Sequence, residues 1–564
     1  MEDQPHRQSA RRQPPRPGPA PPRTFREHFF HTLPRYAGPY SVGTMDIEVP
    51  VREPRTFSRI KRNHVHSLRL DTVLFSVFYP CEPSTYAMSG KSPSRATWLP
   101  RSRVPTSKGY ARFLSVPYLP VTAYIAGTTM FTKVPAFRNA KLAGCPPCVA
   151  SELNSAHDGV RAGSQDEPHK YPVIFFSHGL GGSRMCCSAV CGELASHGFV
   201  VVALEHRDGS GARSYVNIPP KRPLADGLES ANMESDRYYK VDYIFPKDDP
   251  YDTSPHDTSR IDSELRHAQI EMRMSEIEEA YYTLELINNG QGSLVYDANL
   301  RKRGNAGSSS KGLDNIDWCD WEGRMFLWDT TAMGHSFGGT TTMQVTREGN
   351  RFPWIGQGIL LDAWGPAAPK IGETALPSLK KPILSINSEA FIHWPENFER
   401  QTGFGKEAES NSTPYWMITI KGSTHLSQTD FAILYSRWMS LLAKTMVHPR
   451  RAIQLTVGSS LEYLRCVLPP EQVPNECWPH EGILRTGSFV GSDVPRDHRP
   501  DSKWMAARLK IPNELRLRLS SVFRAKPDSS DIARDTKGRP LIGLGCVEPG
   551  KEVWVHIRPR SIDP

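Results

Sequence analysis

A serine between two glycines is the first feature of this sequence that could do chemistry. The motif Gly-His-Ser-Phe-Gly centres on Ser336 and fits G-x-S-x-G, in which the serine sits on a sharp strand-to-helix turn above a sheet edge. Gly334 and Gly338 flank it because a side chain at either position would collide with the backbone of so tight a turn. The apolar stretch 326–333 can form the preceding strand and 340–347 the following helix. The pattern predicts a nucleophile; a plain glycine-rich loop is the alternative.

A serine hydroxyl needs a base to remove its proton and an acid to orient that base. Asp362 directly follows the apolar run 359–361, at a strand end, and His425 follows the apolar stretch 415–421 after a short Gly-Ser-Thr turn. Both come after the serine in the order Ser, Asp, His of the α/β-hydrolases. We therefore expect His425 to act as general base and acid. We expect Asp362 to fix its tautomer and stabilise the imidazolium.

Other residues compete for these two roles. His393 and His448 also follow the serine, but neither comes after an evident strand. His335 is beside the nucleophile, and neighbouring side chains point in different directions. Asp329 precedes the serine, and Asp430 stands at a predicted helix start, where helix capping is its usual role. Chain order and strand-end position therefore favour Asp362 and His425.

An oxyanion hole is the remaining requirement for acyl transfer. One backbone N–H comes from the residue after the nucleophile, which is Phe337, and the second from a loop after an earlier strand. The sequence His-Gly-Leu-Gly-Gly-Ser at 178–183 fits that loop because glycines let the backbone turn its amides inward. We predict Leu180 as the second donor, with Gly179 and Gly181 shaping the loop.

These groups need a scaffold that brings strand ends together. Short apolar runs alternate with helical segments, a pattern typical of a parallel sheet. The predicted strands are 70–79, 171–177, 199–204, 358–362, 382–387 and 415–421. Residues 260–288 form the clearest helix, because Ile270, Met274, Ile277 and Leu284 recur along one face. The sequence predicts an α/β-hydrolase fold, with a mostly parallel central sheet flanked by helices.

Several stretches together resemble one family, the platelet-activating factor acetylhydrolases of the plasma and intracellular type II kind. The stretches that carry the resemblance are 38–43 (GPYSVG), 177–184 (SHGLGGSR), 205–208 (EHRD), 334–339 (GHSFGG), 361–364 (LDAW) and 421–425 (KGSTH). The likeness covers roughly residues 37 to 466, and the long insertion and tail are similar to fungal members. The set is specific, whereas the serine motif alone is not.

The resemblance implies an α/β-hydrolase fold and a calcium-independent esterase that needs no metal or cofactor. Its substrates would be phospholipids with a short or oxidised acyl group at the sn-2 position. It also implies Ser336 as nucleophile, Asp362 as acid and His425 as base, with Leu180 and Phe337 donating to the oxyanion. A carboxylesterase acting on another small ester or a secondary metabolite is the alternative. A non-catalytic binding protein that keeps the fold is a further one.

Composition divides the 564 residues into a central domain and polar ends. Residues 1–36 are rich in Pro and Arg and are predicted to be disordered. We expect the hydrolase domain at 37–467, with a flexible Gly- and Ser-rich insertion at about 299–314. Residues 468–564 form a partly ordered C-terminal extension with little core of its own and one late strand candidate at 553–557.

Charge and hydropathy exclude several classes of protein. The net charge of +9 is modest for this length, much of it lies near the N-terminus, and no nucleic-acid motif accompanies it. Neither a signal peptide nor a transmembrane span of ~20 apolar residues is evident, so a cytoplasmic location, with or without peripheral membrane association, is expected. Cys145 and Cys148 have C-x-x-C spacing, but no second pair follows at zinc-site spacing, and the ten cysteines are expected to be reduced.

One apolar segment has two interpretations. Residues 113–137 are rich in aromatic and aliphatic side chains and are interrupted by prolines. Core packing at the sheet edge is the first interpretation and a lid or lipid-facing surface is the second. The second would place the phospholipid substrate at a membrane or micelle surface.

Overall fold

The described chain builds one large sheet with helices on both faces. The computed structural model describes residues 16–59, 61–62, 65–83, 94–145, 168–219, 237–246, 252–257, 261–309, 311–369, 377–473, 478, 481–511, 514–515 and 551–559. Residues 1–15 of the predicted tail, Cys148 of the C-x-x-C pair and 516–550 of the extension lie outside this part of the chain.

The strands in chain order are β1 (Ser41–Thr56), β2 (Lys61–Arg62), β3 (Val65–His66), β4 (Arg69–Cys81), β5 (Phe137–Arg138), β6 (Tyr171–Ser177), β7 (Val200–Leu204), β8 (Arg213–Asn217), β9 (Tyr238–Asp242), β10 (Met325–His335), β11 (Ile355–Leu361), β12 (Ile383–Ser388), β13 (Tyr415–Ile420), β14 (Ser488–Phe489), β15 (Arg499–Pro500), β16 (Leu509–Lys510) and β17 (Val553–Ile557).

The helices are α1 (Arg103–Phe113), α2 (Tyr118–Thr129), α3 (Ser188–Ser196), α4 (Ser263–Asn288), α5 (Gly292–Ala298), α6 (Phe337–Arg347), α7 (Glu389–Ile392), α8 (Pro395–Ser410), α9 (Asp430–Leu434), α10 (Ser436–Leu441), α11 (Pro449–Val467) and α12 (Ile483–Thr486). Short 3-10 helices occupy Phe25–His28, Trp318–Trp321, Gly365–Ala367, His425–Gln428 and Pro470–Gln472. Among the described helices, none is both long and apolar enough to cross a bilayer.

The central sheet has the order β14-β17-β13-β12-β11-β10-β6-β7-β4-β1-β5 among the described strands. The run from β7 to β13 is parallel throughout, whereas β4 pairs antiparallel with both β7 and β1. In a parallel run all strands end at the same edge, which is where ligands bind in such sheets. The predicted mostly parallel sheet flanked by helices is confirmed.

Two apolar layers cover the sheet. On β6, Ile174 and Phe176 pack on one side with α3 and α11, while Val173 and Phe175 pack on the other with α4. The alternation follows from the period of two along a strand. Every residue of β6 is buried, as expected for a central parallel strand with both faces covered.

Helix α4 agrees with the predicted apolar stripe, and its first turn is capped. The Asp262 side chain accepts a hydrogen bond from the Leu265 N–H at 3.1 Å, so the helix begins at Ser263 rather than at the predicted residue 260. Gly290, with φ of 76°, follows its C-terminus.

The N-terminal segment packs against the domain before residue 37, where the domain was predicted to begin. Leu33 and Tyr36 are buried, and the buried Glu27 forms an ion pair with Arg95. These buried residues lie in a segment that is rich in Pro and Arg. Because such a composition is typical of disorder, the sequence suggested disorder up to residue 36. The predicted boundary at residue 37 therefore falls inside a packed arm.

The predicted insertion at 299–314 is also packed where it is described. The Leu300 N–H donates to the Glu48 carbonyl at 2.7 Å, and Arg301 forms an ion pair with the Glu48 carboxylate at 3.4 Å. Leu313 is buried. Its Gly and Ser content suggested flexibility, but side-chain anchors fasten the segment to β1.

The C-terminal extension supplies a strand of the main sheet. β17 pairs antiparallel with β13, and Val553, Trp554 and Val555 are buried. The extension thus covers a sheet edge that would otherwise present unpaired backbone groups. The predicted domain boundary at residue 467 does not separate the extension from the sheet.

The apolar segment 113–137 has a buried side and an exposed side. Ile125 and Ala126 of α2 are buried, whereas Tyr118 and Leu119 are 51% and 68% exposed. Core packing and surface exposure therefore both occur along this segment.

Candidate active site

The serine motif forms a strained turn between β10 and α6. Ser336 has φ of 58° and ψ of −120°, a conformation that is costly for a residue with a side chain. A Cβ added to Gly334 would lie 2.2 Å from the Gly338 carbonyl oxygen, and one added to Gly338 would lie 2.0 Å from the Ser177 carbonyl oxygen. Only glycine fits at either position, as predicted from the sequence.

Asp362 and His425 meet at the ends of neighbouring strands. Asp362 follows β11 and is fully buried, and His425 begins the 3-10 helix after β13. The His425 Nδ1 and Asp362 Oδ2 atoms are 3.0 Å apart. The N–H and hydroxyl of Ser388 donate to the same carboxylate at 2.5 and 2.6 Å, so its oxygens are acceptors that draw the imidazole proton to Nδ1. Nε2 of His425 is then free to act as a base.

The glycine-rich loop after β6 fixes the direction of one peptide. His178 Nε2 lies 3.1 Å from the His206 N–H and accepts from it, so the ring proton is on Nδ1 and is donated to the Gly179 carbonyl at 2.8 Å. Burial lowers the pKa of His178 to about 4, which keeps the ring neutral in this tautomer. The Gly182 N–H donates to the same carbonyl at 3.1 Å. In a trans peptide the next N–H, that of Leu180, points the opposite way.

The N–H groups of Leu180 and Phe337 are both available to a ligand. Within the described part of the chain, neither donates to a protein acceptor. Phe337 is the first residue of α6, where N–H groups lack intrahelical partners and the helix dipole favours negative charge. A Cβ added to Gly179 would lie 2.7 Å from the Ser336 Cβ, so the loop runs directly beside the serine. This arrangement can bind an oxyanion formed on an acyl group at the serine.

A network of buried charges supports the loop from α4, and the sequence analysis did not find it. Arg273 Nη1 donates to the His178 carbonyl at 2.8 Å, Nε to Asp208 at 2.8 Å and Nη2 to the Ser210 hydroxyl at 2.6 Å. The Arg273 guanidinium also stacks over the Phe337 ring, with its central carbon 4.4 Å from the ring centroid. One side chain thus contacts both candidate oxyanion segments.

Glu276, one helical turn further on, extends this network. His206 Nε2 lies 2.7 Å from the Ser177 hydroxyl, and His206 Nδ1 lies 2.6 Å from the Glu276 carboxyl. Burial, together with the charge of Asp208, raises the pKa of Glu276 to about 8. A signal was present in the sequence: residues 266, 269, 273 and 276 form a polar stripe of helical period beside the apolar one, and all four are buried.

The competing residues have other contacts. His393 Nε2 lies 3.0 Å from the His498 carbonyl, and His448 caps α11 by accepting from the Arg450 N–H. Asp430 does cap a helix, but not its own: its carboxylate accepts from the Ser188 and Ala189 N–H groups at the start of α3.

The remaining competitors are Asp329 and His335. Asp329 lies within β10, before the serine turn. The His335 ring stacks on His425, with the ring centroids 4.6 Å apart.

The sheet order, the serine turn after β10 and the strand-end positions of Asp362 and His425 define the protein as an α/β-hydrolase. The chain belongs to the family described as platelet-activating factor acetylhydrolase, isoform II, whose model matches residues 28–475.

Individual relatives carry the same name. A platelet-activating factor acetylhydrolase of Gallus gallus is 32% identical over 306 residues, which cover 52% of this chain. One of Canis lupus familiaris is 26% identical over 443 residues, covering 77% of this chain and 76% of the relative. One of Bos taurus is 31% identical over 316 residues, covering 52% and 57%. The chain spans 62% of the length of the Gallus gallus protein.

Proposed function

We propose that the protein is a serine esterase that hydrolyses the sn-2 short-chain acyl ester of phospholipids, of the 1-alkyl-2-acetylglycerophosphocholine esterase type. The observation that carries the proposal is the 3.0 Å pairing of His425 with a fully buried Asp362 at the strand edge that also presents the strained Ser336. Membership of the acetylhydrolase family supports the substrate class.

The proposed reaction proceeds through an acyl-enzyme. His425 Nε2 takes the proton from the Ser336 hydroxyl as its oxygen attacks the sn-2 carbonyl carbon. The N–H groups of Leu180 and Phe337 stabilise the negative charge that develops on the carbonyl oxygen. The imidazolium returns its proton to the departing lysophospholipid oxygen. A water molecule, deprotonated by the same histidine, then releases the acyl group.

Acetate release from a 2-acetyl phospholipid tests this function. Wild-type protein is expected to release acetate and to react with a fluorophosphonate probe, whereas Ser336→Ala should do neither, and a chelator should leave the wild-type rate unchanged. Activity retained by Ser336→Ala would overturn the assignment. A panel of esters of increasing acyl length decides between short-acyl phospholipids and other small esters, since higher kcat/KM on non-phospholipid esters would contradict the proposed substrate.

An exposed apolar surface beside the site supports a role at a lipid surface. We call it the apolar rim, and its members are Leu114, Val116, Tyr118, Leu119, Tyr124, Trp438, Leu441 and Leu442. The Trp438 indole N–H donates to the Tyr124 hydroxyl at 2.6 Å, which joins α10 to α2. The Phe113 ring packs against Gly181 of the oxyanion loop, so the rim adjoins the site.

Charge around the rim favours an anionic lipid surface. Residues 94–145 contain eight Lys and Arg and no Asp or Glu, and four of these basic residues pair with carboxylates from other parts of the fold. Arg101 and Lys108 are exposed on or beside α1, and Lys108 lies over the Tyr118 ring at 5.1 Å. Apolar side chains next to basic ones suit a surface with acyl chains beneath negative headgroups. We propose that the rim docks on anionic phospholipid membranes or micelles to deliver the substrate.

Vesicle sedimentation tests the docking surface. The double change Leu119→Ser/Leu442→Ser should weaken binding to phosphatidylserine-containing vesicles by about tenfold or more, because two apolar side chains no longer leave water. Turnover of a water-soluble acetyl ester should be unchanged. Phe489→Ser is the matched control, since Phe489 is equally exposed at 68% but lies on β14 in the C-terminal extension. Equal vesicle binding by the wild-type protein and the double variant would overturn the docking proposal.

A further inference from the structure

The imidazole of His425 lies between two other rings. The Phe391 ring lies 4.5 Å from it, centroid to centroid, and is inclined by only 14°. The His335 ring lies 4.6 Å from it with an inclination of 30°. His335 Nε2 is also 3.0 Å from the backbone carbonyl of His425. Both ring faces of the proposed base are therefore covered, while its edge carries the bond to Asp362.

Helix α7 supplies one face of this sandwich and also holds the acid. The helix follows Ser388, whose N–H and hydroxyl both donate to Asp362. Phe391, the third residue of the helix, is buried and packs edge-on against Trp394 at 5.7 Å. The element that orients the carboxylate thus also fixes the ring stacked on the imidazole.

His335 covers the second face as a neutral ring. Burial, and next the charge of His425, holds the pKa of His335 well below its ordinary value. The neutral ring donates from Nε2 to the His425 carbonyl, because a carbonyl can only accept. It anchors the loop of the base without placing a second positive charge beside the imidazolium.

The physical consequence differs between the two protonation states of His425. An aromatic face attracts a cation through its quadrupole and attracts a neutral ring less strongly. Stacking on Phe391 therefore favours the imidazolium, which in an enzyme with a neutral base forms only as the serine loses its proton. An interaction accelerates a reaction only if it is stronger in the transition state than in the ground state, and stacking on Phe391 meets this condition because it strengthens as His425 becomes charged.

We infer that Phe391 and His335 are positioning residues that clamp the His425 ring, and that the Phe391 face stabilises the imidazolium formed during acyl transfer. This inference rests on the proposed function, in which His425 is the base.

Four other titratable groups lie around His425 in the part of the chain that the structure describes. Asp362 meets its Nδ1 edge, and His335 covers one face. His178 lies beyond His335 and is neutral. Glu389 of α7 is paired with His498 at 2.8 Å and accepts from the Gly422 N–H, so its charge is compensated behind the loop.

The test is the pH dependence of two reactions in Phe391 variants of the full chain. A general base must be neutral in the free enzyme, so kcat/KM rises with pH as His425 loses its proton. Phe391→Leu removes the aromatic face, so the acid limb of the profile should shift to lower pH by about 0.5–1 pH unit while the plateau value of kcat/KM falls by about three- to tenfold. Phe391→Tyr keeps the aromatic face and should show the acid limb and the plateau of the wild-type protein. Fluorophosphonate labelling of Ser336 should follow the same limb.

A shape-preserving series keeps the test decisive if Phe391→Leu does not fold. Trifluorophenylalanine at position 391 weakens the quadrupole with little change of shape and should move the limb in the same direction by a smaller amount. A limb that stays in place in every folded variant, or moves to higher pH, would overturn the inference alone. Wild-type protein that neither releases acetate nor labels would instead contradict the proposed function.

Discussion

The two sides of Ser336 are built from different interactions. On the side of the proposed oxyanion hole, called the oxyanion side below, the loop of Leu180 lies on fully buried charged groups, with Arg273 joining Asp208, Ser210 and the His178 carbonyl. On the side of the proposed base, called the base side below, the imidazole of His425 is 24% exposed and is held by one carboxylate and two ring faces.

This difference in burial between the two sides predicts different effects of mutation on stability and on activity. A buried charge that loses its partner is strongly destabilising, so the oxyanion side cannot be altered without a cost in stability. On the base side the His425 ring is partly exposed, so substitutions that leave the bonds of Ser388 to residue 362 in place can lower catalysis with a smaller loss of stability. Mutations on the two sides should therefore differ in whether stability and activity fall together.

The largest expected effect is on the base side. Asp362→Asn keeps the size of the side chain but lets the amide favour the wrong tautomer of His425, so kcat should fall by about 10⁴-fold. The free energy of unfolding should change by less than about 2 kcal/mol, because the amide oxygen can still accept from Ser388. Acetate release and urea denaturation measure the two quantities.

Labelling by a fluorophosphonate is the control for this variant. It depends on the same base, so its rate should fall in parallel with acetate release. If Asp362→Asn loses well over about 2 kcal/mol of unfolding free energy together with its activity, the separation of the two sides is contradicted.

The next effect is on the oxyanion side. Arg273→Met leaves the Asp208 carboxylate buried without its main partner, and the free energy of unfolding should fall by about 3–5 kcal/mol. Activity of the folded fraction should fall as well, because the His178 carbonyl and the Phe337 ring both lose a contact. Denaturation followed by fluorescence, with kcat measured below the transition, tests both.

Arg351→Met is the matched control, in the turn that follows α6. Arg351 also pairs with α4, through Glu271 and Glu278, but its side chain is 24% exposed. Because this network is partly open to solvent, its loss should cost less than that of the fully buried Arg273, on the order of 1–2 kcal/mol. Equal losses for the two arginine variants would show that burial does not set the difference between the two sides of the site.

The residues of the base side could be predicted from the sequence, whereas those of the oxyanion side could be predicted only in part. Asp362 and His425 follow apolar runs that are local and continuous, so their strand-end positions can be predicted from neighbouring residues. The loop of Leu180 was equally visible through its glycines. Arg273 is separated from that loop by about 90 positions. Its role depends on how α4 packs across the sheet, which local pattern does not encode.

The apolar period along 260–288 predicted α4 but not its buried polar residues. The stripe of Ile270, Met274 and Ile277 indicated the helix, and the polar residues at the same period were assigned no role. The packed arm before residue 37 was not predicted, because a short apolar stretch in polar surroundings packs only when a distant surface accepts it. The late strand candidate at 553–557 is confirmed as β17, but its pairing with β13 was not predicted for the same reason.

Protonation inside the network gives a third, pH-dependent effect. The pKa of Glu276 is raised to about 8, so between roughly pH 4.5 and pH 8 the folded protein keeps a proton that the unfolded chain releases. The wild-type protein should therefore lose stability relative to Glu276→Gln as pH rises, by about 3–4 kcal/mol from pH 5 to pH 8 and at most about 1.4 kcal/mol per pH unit. Urea denaturation at several pH values measures this difference.

His206 takes part in the same effect. The pKa of His206 is lowered by burial, which favours folding as pH rises in both proteins, and because its Nδ1 lies 2.6 Å from the Glu276 carboxyl the comparison measures the titration of the pair. Parallel stability curves for the wild-type protein and Glu276→Gln would contradict a protonated Glu276 under the oxyanion loop.

The smallest effect concerns the residue that joins the two sides. Asp430 follows His425 by five positions, and its N–H donates to the Cys186 carbonyl at 2.8 Å. One carboxylate oxygen accepts from the Ala189 N–H at 2.8 Å, and the other from Trp98 at 2.9 Å and from Ser188. Asparagine has one oxygen, so Asp430→Asn places an amide N–H against a buried donor and should cost about 1–3 kcal/mol of unfolding free energy.

The activity of Asp430→Asn decides how tightly the two sides are coupled. The carboxylate touches neither the His425 ring nor the Leu180 peptide, so kcat should change by less than about threefold, against the tenfold that 1.4 kcal/mol in the barrier would produce. Ser188→Ala removes one donor and leaves the other bonds of the carboxylate, and should cost about 1 kcal/mol. A large fall in kcat with little loss of stability would mean that Asp430 transmits strain between the base and the oxyanion loop, and the separation of the two sides would no longer hold.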